Sequence, residues 1–73
     1  MRPTIDPITT GANIRRLRAE RGITVAQIQA FLELETPRAI FKWQSGATLP
    51  NVENLLGLSI ILGVSMNDIV KTA

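Results

Sequence analysis

The segment TPRAIFKWQSG, residues 36–46, sets Arg38 and Lys42 four positions apart with Phe41 between them. Four residues are about one turn of an α-helix, so both cations fall on one side of any helix formed here. Two cations so placed can meet an anion such as a phosphate, or simply remain solvated. The wider charge pattern follows the same line. Arg15, Arg16, Arg18, Arg21, Arg38 and Lys42 all lie in the first 42 residues, whereas residues 51–73 hold Lys71 against Glu53 and Asp68. Net charge is only +2, so the distribution says more than the total. A positive first part and a near-neutral second part suggest one face for an anion and another for something else. Each arginine taken singly also fits a solvated helix face.

Much other chemistry is excluded. The chain has no cysteine and no histidine, so disulfides, thiol nucleophiles and the usual zinc and haem ligand sets are absent. Asp6, Glu20, Glu33, Glu35, Glu53 and Asp68 show no paired metal-site spacing. No enzymatic activity, cofactor, metal or small-molecule ligand is expected. Apolar residues make up 45% of the chain, a normal core supply, and they come in groups far shorter than a membrane span. The opening MRPTIDPITTG lacks a signal-peptide core. A cysteine-free chain of this kind fits a reducing cytoplasm and no membrane partner. Its 73 residues leave room for one core only.

Several short helices must position the cations. Thr9 or Thr10 can cap a first helix bearing Ile14 and Leu17, which Gly22 ends. Thr24 opens a second with a capping box to Gln27, and Ile28, Phe31 and Leu32 form its inward stripe. Thr36 can cap a third, with Pro37 at its first position, Ile40 and Trp43 inward, and Gly46 as its stop. Asn51 caps a fourth, in which Val52, Leu55, Leu56, Ser59 and Leu62 fall at helical spacing before Gly63. Gly57 inside it costs about 1 kcal/mol relative to alanine, which a close helix crossing would justify. Ser65 opens the last helix with Asp68 three residues on, and Val64 can staple to Ile69. No segment alternates with period two for long enough to predict a strand. The fold is expected to be all-α, with a domain over residues 9–73. Residues 1–8 read as an N-terminal arm, free either to stay loose or to pair with a partner chain.

In order along the chain, GANIRRLRAERGIT, AQIQAFLEL, IFKWQSGATLP and NVENLLGLSIILGVSMNDI resemble the lambda-repressor-like (Cro/C1-type, XRE) helix-turn-helix family of small bacterial and phage transcriptional regulators. The resemblance covers roughly residues 10–70. It implies a compact five-helix domain whose third helix, about residues 37–45, enters the major groove of double-stranded DNA. It makes Trp43 an apolar anchor behind that helix rather than a base-stacking residue, with Gly46 and Pro50 turning the loop along the DNA backbone. The DNA-facing positions it implies are Thr36, Pro37, Arg38, Phe41, Lys42, Ser45, Thr48 and Asn51. Arg38 and Lys42 can meet guanine or phosphate, and Phe41 can touch a thymine methyl or pack against a neighbouring helix. Thr36, Ser45, Thr48 and Asn51 are phosphate contacts or, alternatively, caps and turn formers.

Three positions depart from the family's pattern. Val25 stands where a phosphate-gripping glutamine usually opens the second helix. The connection to the third helix is about one residue longer and carries Glu33 and Glu35, where the family favours a glycine and small polar residues. Gln44 replaces a glutamate, so its link to Arg18 becomes a charge-assisted hydrogen bond. Carboxylates beside the reading helix would oppose phosphate unless they pair with Arg38 or point away.

Such domains bind as homodimers, because one short helix covers a half-site. Leu58, Ile60, Ile61, Val64, Met66 and Val70 are candidates for that surface, or else complete the monomer's core. A start at Met1 and a capped final helix predict a whole domain rather than the head of a longer regulator. The competing reading is a protein-interaction module, antitoxin-like or anti-repressor-like, which keeps the scaffold with weak or no DNA binding. Val25, Glu33 and Glu35 favour it; Arg38 and Lys42 favour DNA.

Overall fold

Asp6 begins the helical domain three residues earlier than the threonines suggest. In the computed structural model, which describes residues 2–73, its carboxylate accepts hydrogen bonds from the Ile8 N–H at 3.1 Å and the Thr9 hydroxyl at 2.7 Å. Pro7 then takes the first helical position, where its missing N–H leaves nothing unpaired. The Asp-Pro pair was the cap, and Thr9 and Thr10 lie inside the helix. Five helices follow: α1 Pro7–Glu20, α2 Val25–Phe31, α3 Arg38–Ser45, α4 Val52–Leu62 and α5 Met66–Ile69. Among the described residues the only β pairing is one antiparallel bridge, Ile5 with Thr72. Around it the Asp6 N–H donates to the Lys71 carbonyl and the Ala73 N–H to the Thr4 carbonyl. The two ends of the chain are tied to each other.

Every helix supplies the core. Ile14 and Leu17 of α1, Ile28 of α2, Ile40 and Trp43 of α3, Leu58 and Leu62 of α4 and Ile69 of α5 are all buried. The expected stripes hold for α1 and α3 and shift in the other two long elements. In α2 Ile28 is buried and Leu32 half-buried, but Phe31 is 48% exposed. In α4 the inward positions are Leu55, Leu58, Ser59 and Leu62, while Val52 and Leu56 stay 74% and 50% exposed. This helix is apolar nearly all round, so periodicity alone allowed two stripes. Leu58 therefore completes the core rather than offering a partner surface.

Two polar side chains fasten the last helix to the first. Buried Asn13 donates from Nδ2 to the Asp68 and Ile69 carbonyls at 2.7 and 2.9 Å. Thr10, also buried, accepts the Lys71 N–H at 2.9 Å through its hydroxyl oxygen. The α1–α3 contact is closer still. A Cβ at Gly11 would overlap the carbonyl oxygen of Trp43, so only glycine lets α1 lie on the backbone of α3. At Gly57 a Cβ would overlap the Leu32 side chain, the close crossing that explains a glycine within α4.

Candidate nucleic-acid interface

The link between α2 and α3 decides where α3 points. Helix α2 ends with the Leu34 N–H donating to the Gln29 carbonyl and the Glu33 N–H to the Ala30 carbonyl. This hydrogen-bond pair places a left-handed residue just past the helix. That residue is Glu33, with φ 56°, the one non-glycine residue of positive φ among those described. The Gln29 side chain then crosses the link, donating to the carbonyls of Leu34 and Glu35, each at 3.3 Å. Leu34 packs against the core, and Glu33 and Glu35 face solvent. Neither pairs with Arg38. The ion pairs among the described residues are Arg16–Glu20 at 2.9 Å and Arg21–Glu20 at 3.8 Å, both within the α1 region.

Helix α3 begins one residue later than expected. Pro37 occupies the capping position, and the Thr36 hydroxyl oxygen accepts the Arg38 N–H at 3.3 Å. Asp6, Thr24, Asn51 and Ser65 each cap their own helix with a side-chain acceptor for a first-turn N–H. Pro37 offers none. Beyond that Thr36 bond no side chain caps the first turn of α3, where Ile40 is wholly buried. At the other end Gly46, φ 82°, closes the helix, and a Cβ there would lie 2.8 Å from the Ile8 Cα.

With Ile40 and Trp43 seated in the core, the opposite side of α3 is open. Thr36, Pro37, Arg38, Phe41, Lys42 and Ser45 line one concavity of about 590 Å³. Thus six of the eight expected DNA-facing residues come together, while Thr48 and Asn51 lie outside it. Phe41 is 53% exposed, so the packing alternative for it is not what the fold uses. On its other side a second hollow of about 350 Å³ is lined by Arg15, Arg18, Phe41, Gln44 and Ser45. Arg18 is half-buried, donating from Nε to Gln44 Oε1 at 3.0 Å and from Nη1 to the Ile23 carbonyl at 3.2 Å. The hydrogen bond expected between Arg18 and Gln44 is formed. Arg15 is exposed beside it. The sequence placed Arg15 in a basic cluster but could not aim it, because its direction depends on how α1 crosses α3.

Hydrogen-bond accounting separates the hydroxyl and amide candidates. The Ser45 hydroxyl donates to the Lys42 carbonyl at 3.1 Å and accepts the Ala47 N–H at 3.3 Å, so its single proton is already committed. Asn51 caps α4 through Oδ1, accepting the Asn54 N–H at 2.8 Å, which leaves its Nδ2 hydrogens out of the cap. Thr36 uses only an oxygen lone pair, so its hydroxyl proton is likewise available. The two carboxyls held below their ordinary range, Asp6 by the Thr9 hydroxyl and Asp68 by the Ser65 N–H, cap α1 and α5 and take no part in this face. Among the described residues no acidic cluster could hold a metal, and no helix is long and apolar enough to cross a membrane.

Comparison with known proteins identifies the family and the fold. The model of the helix-turn-helix family matches residues 14–69. The restriction-modification controller protein C.AhdI from Aeromonas hydrophila superposes with a TM-score of 0.78 at 19% identity, over 88% of this chain and 96% of that one. A transcriptional regulator from Listeria innocua gives 0.74 at 26% identity, over 96% of this chain. The present chain spans 60% of the Listeria protein's length. No curated protein matches in sequence.

Proposed function

Since the chain belongs to the Cro/C1-type helix-turn-helix family, we propose that it is a sequence-specific, DNA-binding transcriptional regulator that inserts α3 into the major groove. One observation carries this reading. Arg38, Phe41 and Lys42 stand exposed together on α3 while Ile40 and Trp43 lock its other side into the core. A major groove about 12 Å wide admits one helix, and arginine or lysine there can bond the O6 and N7 of guanine. Around the helix, Arg15, the Thr36 hydroxyl, Thr48 and the Asn51 amide would hold phosphates and fix the register. Such a protein acts in the cytoplasm, occupying a promoter or operator and blocking or recruiting polymerase.

An eight-residue helix spans only a half-site, so the functional unit is a homodimer on a two-fold-symmetric operator. Its surface is the outer side of α4, where Val52, Leu56 and exposed Ile60 recur every four residues. Of the earlier candidates, Ile61 and Val64 are packed on the core, and Met66 and Val70 are half-buried. Ile60 remains the best position for a charge designed to separate the subunits.

Titration with mixed-sequence duplex DNA at two salt concentrations tests the proposal. Binding should fall steeply as salt rises, because each neutralised phosphate releases counterions. Selection of preferred sequences from a random pool should then return a palindrome. A folded protein with no salt-dependent affinity for any duplex would reject DNA binding and favour a protein partner for this face.

A further inference from the structure

Arg38 and Lys42 can meet phosphate or guanine, whereas of the two roles open to Phe41 the exposed ring leaves the apolar contact with DNA. Its ring can neither neutralise a phosphate nor exchange hydrogen bonds with a base edge. Yet it is more than half exposed at the middle of α3, forming the ridge shared by the two hollows. The other large exposed apolar side chains, including Phe31, Val52, Leu56 and Ile60, lie on other elements. Phe41 is set among cations: Arg38 and Lys42 on one flank, Arg15 and Arg18 on the other. Pro37, one turn earlier, extends its apolar surface. Ser45, one turn later, has its proton committed to the Lys42 carbonyl and so brings no free donor beside the ring.

An apolar strip within a cationic rim matches one feature of the major groove. There every base presents donors or acceptors, and only thymine adds a methyl group, at C5. We propose that Phe41 is a specificity-determining residue that reads the C5 methyl of a thymine, making the site thymine-dependent at one position in each half-site. This rests on the DNA-binding reading above, and it adds the chemical group that the centre of α3 recognises. The cations beside the ring draw the phosphates in, and the ring then favours the base whose methyl it can bury.

Replacing thymine by uracil removes only that methyl, so the test can be made on the DNA. The full chain is first used to select a preferred duplex. Each thymine of one half-site is then changed to uracil in turn, and affinity is followed by fluorescence anisotropy. One position should weaken binding about 4-fold, the value of burying a single methyl-sized group, and the others should change little. Phe41→Ala, checked for native helix content by circular dichroism, should bind the thymine and uracil duplexes equally. Uracil without effect at every position would overturn the assignment of Phe41, while salt-dependent binding to the same duplexes left the DNA reading standing. A uracil effect of equal size in Phe41→Ala would overturn it too. No salt-dependent binding to any duplex would remove both proposals together.

Discussion

Helices α2 and α3 are neighbours of seven and eight residues, yet they are held in opposite ways. Helix α2 is closed by its own sequence. Thr24 and Gln27 bond each other's backbone at its start, and a left-handed residue with paired N–H groups finishes it. It carries no charge, and its first residue, Val25, packs on the core. Helix α3 has no capping box at its start, only the Thr36 hydroxyl on the Arg38 N–H at 3.3 Å, and it carries two cations and exposes a phenylalanine. A helix this short does not persist alone, so Ile40 and Trp43 must hold it from behind. The difference separates positioning from reading. In α2 Thr24 and Gln27 serve the helix start through their oxygens, and Gln29 braces the link to α3. In α3 the cations and Phe41 are left open on the surface, and tertiary packing from Ile40 and Trp43 supplies much of the order.

The largest expected effect is therefore on the anchor of α3. Trp43→Ala should destabilise the domain by about 3–5 kcal/mol, since it empties a buried site behind the helix. Thr24→Ala, which removes the cap of α2, should cost only about 1 kcal/mol. Urea unfolding of both variants checks the contrast. Equal losses would mean that α2 depends on its cap as heavily as α3 depends on its core contacts.

On the functional side, Arg38→Ala should cost about 1–3 kcal/mol on a preferred duplex and relax the choice of base opposite it. A lysine bound only to phosphate should instead weaken every sequence alike, so Lys42→Ala would lower the salt slope by about one. Anisotropy titrations across salt distinguish the two. If both variants, still folded, bind as the parent does, α3 is not the reader.

A smaller effect is expected at Glu33, where the two helices meet. A side-chain-bearing residue in the left-handed region costs about 1–2 kcal/mol, and glycine returns about 0.5–1 of that in chain entropy. Glu33→Gly should therefore raise stability by about 0.5–1 kcal/mol in thermal unfolding. Glu33→Gln keeps the strain and removes the charge. It should tighten DNA binding at low salt and leave the melting temperature nearly unchanged, which separates the backbone effect from the electrostatic one.

Much of this arrangement was legible in the sequence because local chemistry wrote it. The Thr24–Gln27 and Ser65–Asp68 boxes, Asn51 as a cap and Gly22, Gly46 and Gly63 as stops all appear where the residue types require. So do the inward pair Ile40 and Trp43 and the cations opposite them. What the sequence hid depends on through-space neighbours or on degenerate patterns. Asp6 was passed over because two threonines nearer the apolar positions offered the same capping chemistry. The buried stripe of α4 was ambiguous because either side of that helix is apolar. Nothing local marks Gly11, which is required only because the Trp43 carbonyl lies against it. The direction of Phe41 and the approach of Arg15 likewise follow only once α1 lies across α3.

The smallest expected effect separates the central pair of helices from the outer ones by pH. The caps of α1 and α5 are or include carboxylates, Asp6 and Asp68, whereas the starts of α2 and α3 are met by the hydroxyls of Thr24 and Thr36 and by no carboxylate. Both carboxyls lie below their ordinary value of 3.8 in the folded protein. For Asp6 the leading cause is the Thr9 hydroxyl; for Asp68 it is the Ser65 N–H, with the Ser65 hydroxyl next. A folded value below the unfolded one means that the unfolded chain binds the proton more readily. The stabilising contribution is therefore fully present above pH 3.8, and it is lost as pH falls through the lower folded values. Asp68 is exposed and Asp6 half-buried, each at its own helix end, so the loss should be local rather than global. Amide exchange by NMR on lowering the pH through this range should open Ile8 and Thr9 at the start of α1 and the first turn of α5. Protection in α2 and α3 should change less than at those two ends. Asp6→Asn should make the start of α1 insensitive to pH while α5 still responds. Simultaneous loss of protection in all five helices would mean that these carboxylates support the whole domain rather than their own helix ends.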